Sequence, residues 1–246
     1  MKHFYSAQSP TNLDELINIA QEIKTNSLQR IDLGRGKLMV LLFFNASLRT
    51  KLSTQKAAMN LGMQVISMDM KDSWAWEFED GVTMRFDKAE HVKEAANVIC
   101  RYADIIAIRS FPSLTDQKGD YQDQVINNFM KYSTKPVVNL ESAIRHPLQS
   151  FADLLTIKEH VKNENPKIVL SWAPHPKALP QAVSNSFLEW MYQAGHSVTV
   201  THPEGYELHD DFMQGHHIEY NQDKAFKEAD VVTSKIGQAS LIMGRS

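Results

Sequence analysis

A chain of 246 residues with 43% hydrophobic content can bury a sizeable core, as one large domain or two small ones. Its 29 acidic and 26 basic residues give a net charge of -3 and are spread along the whole sequence, without the basic blocks that accompany nucleic-acid or acidic-membrane binding. No stretch approaches the roughly 20 apolar residues of a membrane span, and Met1 to Pro10 lacks the charged start and apolar run of a secretion signal, so a soluble cytoplasmic protein is expected.

One cysteine, Cys100, excludes an internal disulfide, and its neighbours Val98 and Ile99 suggest a buried helix position. The ten histidines, adjacent His216 and His217 among them, show no metal-ligand spacing, and no metal is assigned.

The run Leu38 to Phe44 is short and continuously apolar, as suits a strand covered on both faces in a parallel sheet. A helix follows, with Ser47 as cap, Leu52 and Met59 as a modest apolar face, and Gly62 at its end. Gln64 to Asp69 is the next strand. Asp87 followed by Glu90 forms an Asp-x-x-Glu start signal for a helix whose face carries Val92, Ala95, Ala96 and Ile99. Asp104 to Arg109 is a third strand, Thr115 to Asp120 a polar connection before another helix, and Lys135 to Leu140 a fourth strand.

Pro147, preceded by His146, is placed in the first turn of a helix at the domain junction, with Phe151, Leu154, Leu155 and Val161 at helical spacing. A second series begins with strand Ile168 to Trp172, a helix carrying Val183, Phe187, Trp190, Met191 and Ala194 closed by Gly195, and strand Ser197 to Thr201. Asp223 to Ala229 and Val231 to Ser234 repeat the unit. Alternation of this kind predicts an α/β fold of two doubly wound parallel-sheet domains, residues 1–146 and 147–246, with ligands beyond the C-terminal ends of the strands.

The most informative segment is Phe44-Asn45-Ala46-Ser47-Leu48-Arg49-Thr50, where an apolar strand runs into a helix. Free helix-start N–H groups, two hydroxyls from Ser47 and Thr50 and the forked charge of Arg49 outline an anion site, although an ordinary Ser cap beside a surface Arg would leave the same trace. Arg109 ends a strand on the same predicted rim. Glu141 and Arg145-His146-Pro147-Leu148-Gln149 follow the fourth strand and open the next helix, so that His146 and Gln149 face the cleft. Each of these three segments, taken alone, could equally be a solvated strand end, a loop carboxylate or a helix cap.

Together, Ser-x-Arg-Thr after an apolar strand, an Arg ending a later strand, and His-Pro-x-Gln at the junction resemble the carbamoyl-phosphate site of the transcarbamylases. The strings Phe43 to Lys56, Trp76 to Gly81, Trp172 to Val183 and Thr201 to Leu208 resemble the N-acetylornithine and N-succinylornithine branch of the aspartate/ornithine carbamoyltransferase superfamily, over about residues 1 to 235. That resemblance implies transfer of the carbamoyl group of carbamoyl phosphate to the δ-amine of an N-acylated L-ornithine, acetyl or succinyl, in arginine biosynthesis, without a cofactor. It implies that Ser47, Leu48, Arg49 and Thr50 hold the phosphate, assisted by Arg109, and that His146 and Gln149 contact the carbamoyl end. Arg49, Thr50 and His146 would stabilise charge on the carbonyl oxygen. Trp74 matches a tryptophan that the family donates to a neighbouring subunit, implying a homotrimer. Glu141 and Lys235 resemble N-acylornithine contacts, and Lys88, Ala89 and Glu90 lie where the family senses the acyl group.

After Lys235 the chain reads Ile236 to Ser246 without the Lys-Asn-Trp and His-Cys-Leu-Pro segments of that family, so the second domain is expected to be incomplete and to expose a sheet edge. The rival expectation is a truncated, non-catalytic relative that binds carbamoyl phosphate or only oligomerises. A dinucleotide-binding oxidoreductase is disfavoured because no Gly-x-Gly-x-x-Gly follows any strand. An ordinary ornithine or aspartate carbamoyltransferase would share the phosphate motif but not the Trp-Ala-Pro-His-Pro and His-Pro-Glu-Gly-Tyr strings.

Overall fold

The structure, a computed structural model, describes residues 2–83, 87–173 and 179–236, apart from the side chains of 72, 235 and 236. The chain folds as two compact units. The first comprises Met1–Tyr5, Ser9–Pro112 and Lys118–Ser142; the second comprises Ser6–Gln8, Ser113–Gln117 and Ala143–Ser246.

In the first unit, helix α1 (Leu13–Thr25) precedes β1 (Leu38–Phe43), α2 (Leu48–Asn60) and β2 (Gln64–Asp69). The two-residue strands β3 (Trp76–Glu77) and β4 (Glu90–His91) pair with each other and lead into α3 (Val92–Tyr102) and β5 (Ile105–Arg109). The short α4 (Gln117–Tyr121), α5 (Gln124–Tyr132) and β6 (Val137–Glu141) follow. The main sheet is parallel with order β2-β1-β5-β6, and Phe4 bridges to Val138 beyond β6.

Alternate residues of β1 serve opposite faces, which is why its sequence is apolar without a break. Val40 and Leu42 join Val92, Ala96, Phe129 and Ile126 in one core cluster, whereas Met39, Leu41 and Phe43 join Ala58, Met63 and Leu140 in the other. Ser47 caps α2 as expected, and Gly62 ends it at φ +82. The face of α2 differs from expectation: Leu52 and Met59 are 56% and 61% exposed, and Ala58 is the buried contact. A small residue there lets helix and sheet approach closely.

The start of α3 also differs. Asp87 and Glu90 do not form its cap; the cap is His91, whose Nδ1 accepts the Lys93 N–H at 3.1 Å, while Glu90 and His91 are drawn into pairing with Trp76 and Glu77. Cys100 is buried beside the Ser133 hydroxyl at 3.2 Å. Part of the expected polar connection, Gln117–Tyr121, is helical.

The second unit holds α6 (Pro147–His160), β7 (Ile168–Ala173), α7 (Ala182–Gln193), β8 (Val198–Thr201), β9 (His217–Ile218), α8 (Gln222–Phe226) and β10 (Val231–Ile236). Its sheet is parallel with order β10-β7-β8-β9. Gly195, at φ +80, ends the turn after α7 as expected. Among the described residues β10 is an edge strand, with Val232 half exposed. No helix among them is long and apolar enough to cross a membrane.

Candidate active site

Strand order locates the ligand-binding ends of both sheets. In the first, β1 leads through α2 to β2 on one side, and the chain then returns to β5 on the other. This reversal opens a crevice beyond the C-terminal ends of β1 and β5. The register pairs Phe43 with Arg109, so the loop Phe44–Ser47 and the residues after Arg109 meet there.

Ser47 has extended backbone angles, its Oγ accepts the Thr50 N–H at 3.3 Å, and its hydroxyl donates to Thr50 Oγ1 at 2.9 Å. The cap thus occupies the third N–H of α2 and leaves those of Leu48 and Arg49 at the positive end of the helix dipole. A cavity of about 340 Å³ adjoins Leu48, lined by Ala46, Ser47, Leu48 and Lys51 and by Asp69 and Lys71 at and just after the end of β2, but not by Arg49 or Thr50. Lys51 is held by Asp69 at 2.8 Å. Arg49 is exposed. Lys51 and Lys71 were not singled out from sequence, because only the β1–β2 pairing brings residue 71 beside residue 47.

Arg109 is 5% exposed and already committed. Its Nη1 donates to the carbonyls of Asn45 at 2.9 Å and Ala46 at 3.0 Å, and its Nε and Nη2 each lie 3.1 Å from Glu141 Oε2. Its guanidinium stacks over Phe111 at 4.0 Å. Hydrogen bonds use three of the five guanidinium donors, and the ion pair engages Nη2. A β-bulge makes the pair possible: the register between β5 and β6 shifts at Ile108/Arg109, bringing Glu141 opposite Arg109. Asn45, which sequence reasoning passed over, completes the brace by accepting the Phe111 N–H at 2.6 Å. Arg109 and Glu141, expected at phosphate and amine acceptor respectively, are therefore ion-paired and together hold the loop that enters α2.

Trp74 is 63% exposed, and its indole N–H donates to Glu90 Oε2 at 3.0 Å. The Ala89 N–H donates to the Ala75 carbonyl at 3.1 Å, so Trp74 and the 88–90 segment are tied together.

In the second unit, His146 is the N-cap residue of α6 with Pro147 at its start. Side chains of α7 hold this turn. Ser186 Oγ accepts the His146 N–H at 2.9 Å, Asn185 donates to the Ile144 carbonyl at 3.1 Å, Trp190 donates to the Pro147 carbonyl at 2.8 Å, and Glu189 binds Arg145 at 3.0 Å. His146 and the exposed Gln149 line a second cavity of about 310 Å³, together with Asp153, Ser184 and Thr233–Ser234 of β10. Here too the order of strands reverses, between β7 and β10, and the backbone of Lys235 pairs with Trp172 at that point. The Lys235 side chain lies outside the described residues, as do positions 174–178 of the Trp-Ala-Pro-His-Pro string and positions 237–246.

Chemically, the first unit presents a helix start beside two lysines, and the second a mixed pocket in which Leu170, Val183 and Phe187 adjoin one amide, one carboxylate, one imidazole and three hydroxyls. Among the described residues no three His, Cys, Asp or Glu side chains group to hold a metal ion.

The model for the carbamoyl-phosphate binding domain of aspartate/ornithine carbamoyltransferases matches residues 2–159. An N-succinylornithine carbamoyltransferase of Bacteroides thetaiotaomicron is 49% identical over 236 residues, 96% of this chain and 74% of the relative. An N-acetylornithine carbamoyltransferase of Xanthomonas axonopodis pv. citri is 37% identical over 253 residues, 96% of this chain and 73% of the relative. A crystal structure of an N-acetyl-L-ornithine transcarbamylase variant complexed with carbamyl phosphate and N-succinyl-L-norvaline superposes with a TM-score of 0.90 at 36% identity, covering 97% of this chain and 76% of the other.

Proposed function

The chain belongs to the aspartate/ornithine carbamoyltransferase family, and from that premise we propose that it transfers the carbamoyl group of carbamoyl phosphate to the δ-amine of an N-acylated L-ornithine in arginine biosynthesis. The observation that carries this is the capped start of α2, where Ser47 and Leu48 line a cavity with Lys51 and Lys71 on its rim. The products are an N-acylcitrulline and phosphate. Succinyl is the acyl group to test first, because identity is 49% to the N-succinylornithine relative against 37% to the N-acetylornithine one.

In this mechanism the phosphate end rests on Ser47, Leu48, Arg49 and Thr50, and Arg109 assists while bracing the loop. His146 and Gln149 contact the carbamoyl group. The δ-amine attacks the carbamoyl carbon, and the tetrahedral intermediate collapses with loss of phosphate, which can accept the amine proton. Arg49, Thr50 and His146 stabilise the negative charge that grows on the carbonyl oxygen, an effect usually larger than proton transfer in such reactions. Glu141 and Lys235 serve the N-acylornithine, with Glu141 acting from within its ion pair.

A cytoplasmic homotrimer with Trp74 reaching a neighbouring subunit is part of the proposal. Supporting it, Leu48, Leu52 and Met59 on α2 and Ile66 on β2 are 76%, 56%, 61% and 49% exposed, apolar side chains that a neighbouring subunit could cover.

The test is colorimetric detection of ureido product from carbamoyl phosphate with N-succinylornithine, N-acetylornithine, ornithine and aspartate in parallel. Product with one acylated amine, abolished in Arg49→Ala, is expected. Product from unacylated ornithine alone would refute the assignment. Thermal protection by carbamoyl phosphate without turnover would instead identify a binding-only chain.

A further inference from the structure

Asp153 lies one helical turn beyond Gln149 on α6, and the Gln149 side-chain N–H donates to Asp153 Oδ1 at 3.1 Å. Both side chains line the 310 Å³ cavity beside His146. An ionised carboxylate can only accept hydrogen bonds, so it dictates which end of the glutamine amide faces it. With the NH2 group turned to Asp153, the Gln149 oxygen is turned away from it and remains available as an acceptor. A carbamoyl group carries an NH2 donor, and the reversed amide would oppose it with a second donor.

We propose that Asp153 is a positioning residue that orients the Gln149 amide so that its oxygen reads the amino group of the donor, selecting a carbamoyl phosphate over an acyl phosphate. This rests on the assignment of Gln149 to the carbamoyl group. The setting of Asp153 supports it: the side chain is half-buried, makes no ion pair among the described residues, and burial holds its pKa above the ordinary carboxylate value despite the bond from Gln149. Whatever it contributes to stability, this carboxylate sets the polarity of the neighbouring amide.

The experiment compares binding of carbamoyl phosphate and acetyl phosphate, in which a methyl replaces the amino group, to the full chain by calorimetry. The proteins are the wild type, Asp153→Ala, Asp153→Asn, Gln149→Ala and the Gln149→Ala/Asp153→Ala double variant. The wild type should prefer carbamoyl phosphate roughly tenfold, the worth of about one net hydrogen bond. Asp153→Ala should bring the preference close to unity with acetyl phosphate affinity retained, and should have no further effect once Gln149 is gone. Asp153→Asn, whose amide can donate or accept, should fall between, and being isosteric it decides the matter if the alanine variant does not fold. An unchanged preference in both Asp153 variants overturns the proposal, as does a parallel loss for both ligands or a wild type that binds both equally. A wild type that binds neither ligand would refute the carbamoyltransferase assignment itself.

Discussion

Replacing Arg109 with methionine tests whether the loop before α2 is held by the Arg109–Glu141 pair. The substitution removes the bonds to the Asn45 and Ala46 carbonyls and the ion pair at 3.1 Å, and leaves the Glu141 carboxylate, 9% exposed, without that cation. Breaking one side of a buried pair costs about 3–5 kcal/mol, a large part of the 5–15 kcal/mol that a domain possesses. The double variant Arg109→Met/Glu141→Leu exchanges the pair for apolar contact and should recover most of that loss, since a packed hydrophobic replacement is often neutral. Equilibrium urea unfolding monitored by circular dichroism measures both variants. In each, carbamoyl phosphate should protect less than in wild type, because the 45–46 carbonyls have lost their brace. A single variant within about 1 kcal/mol of wild type, or a double variant no more stable than the single, would refute the reasoning.

Ser47→Ala should cost about 1 kcal/mol through the lost cap and also weaken carbamoyl-phosphate protection, both read by thermal denaturation with and without ligand. Gly62→Ala should destabilise by more than about 2 kcal/mol, because φ is +82 and a Cβ would lie 2.1 Å from the Ile31 carbonyl oxygen; urea unfolding would show it. His216 accepts the Val198 N–H at Nδ1 and is bonded through Nε2 to the Leu188 carbonyl, and burial holds its pKa below 6.5. The unfolded chain therefore takes up this proton more readily, so the histidine's contribution is complete above pH 6.5 and is lost as pH falls through the depressed folded value. Wild type should lose more stability than His216→Gln between about pH 8 and pH 5, measured as the shift in urea midpoint.

The elements that pattern alone revealed are those whose signal is local. The unbroken apolar run of β1 announces a strand buried on both faces, Ser47 and Gly62 mark the limits of α2, and Pro147 opens α6, because caps and glycine turns act within a few residues. The Asp-x-x-Glu signal at 87–90 was equally local and yet did not set the start of α3. Pairing of β4 with Trp76–Glu77 drew Glu90 and His91 into extended backbone and passed the cap to His91. Likewise the apolar spacing of α2 did not show that Leu52 and Met59 face outward, which depends on how closely Ala58 seats the helix on the sheet.

The candidate site divides in the same way. Ser47, Arg49, Thr50, His146 and Gln149 could be proposed from sequence because anion cradles and helix starts are written in adjacent residues, and the family strings added Arg109, Glu141, Trp74 and Lys235 as candidates. What sequence could not show was that Arg109 and Glu141 pair with each other, since a bulge between two strands well separated along the chain has no local trace. Nor could it bring Lys71 beside Ser47, or distinguish Asp153 from any other helical carboxylate until its burial and its bond to Gln149 were known. Residue types and short spacings determined the chemistry available to this chain. Register and burial, which are sums over distant parts of the chain, decided which groups remain free to use it.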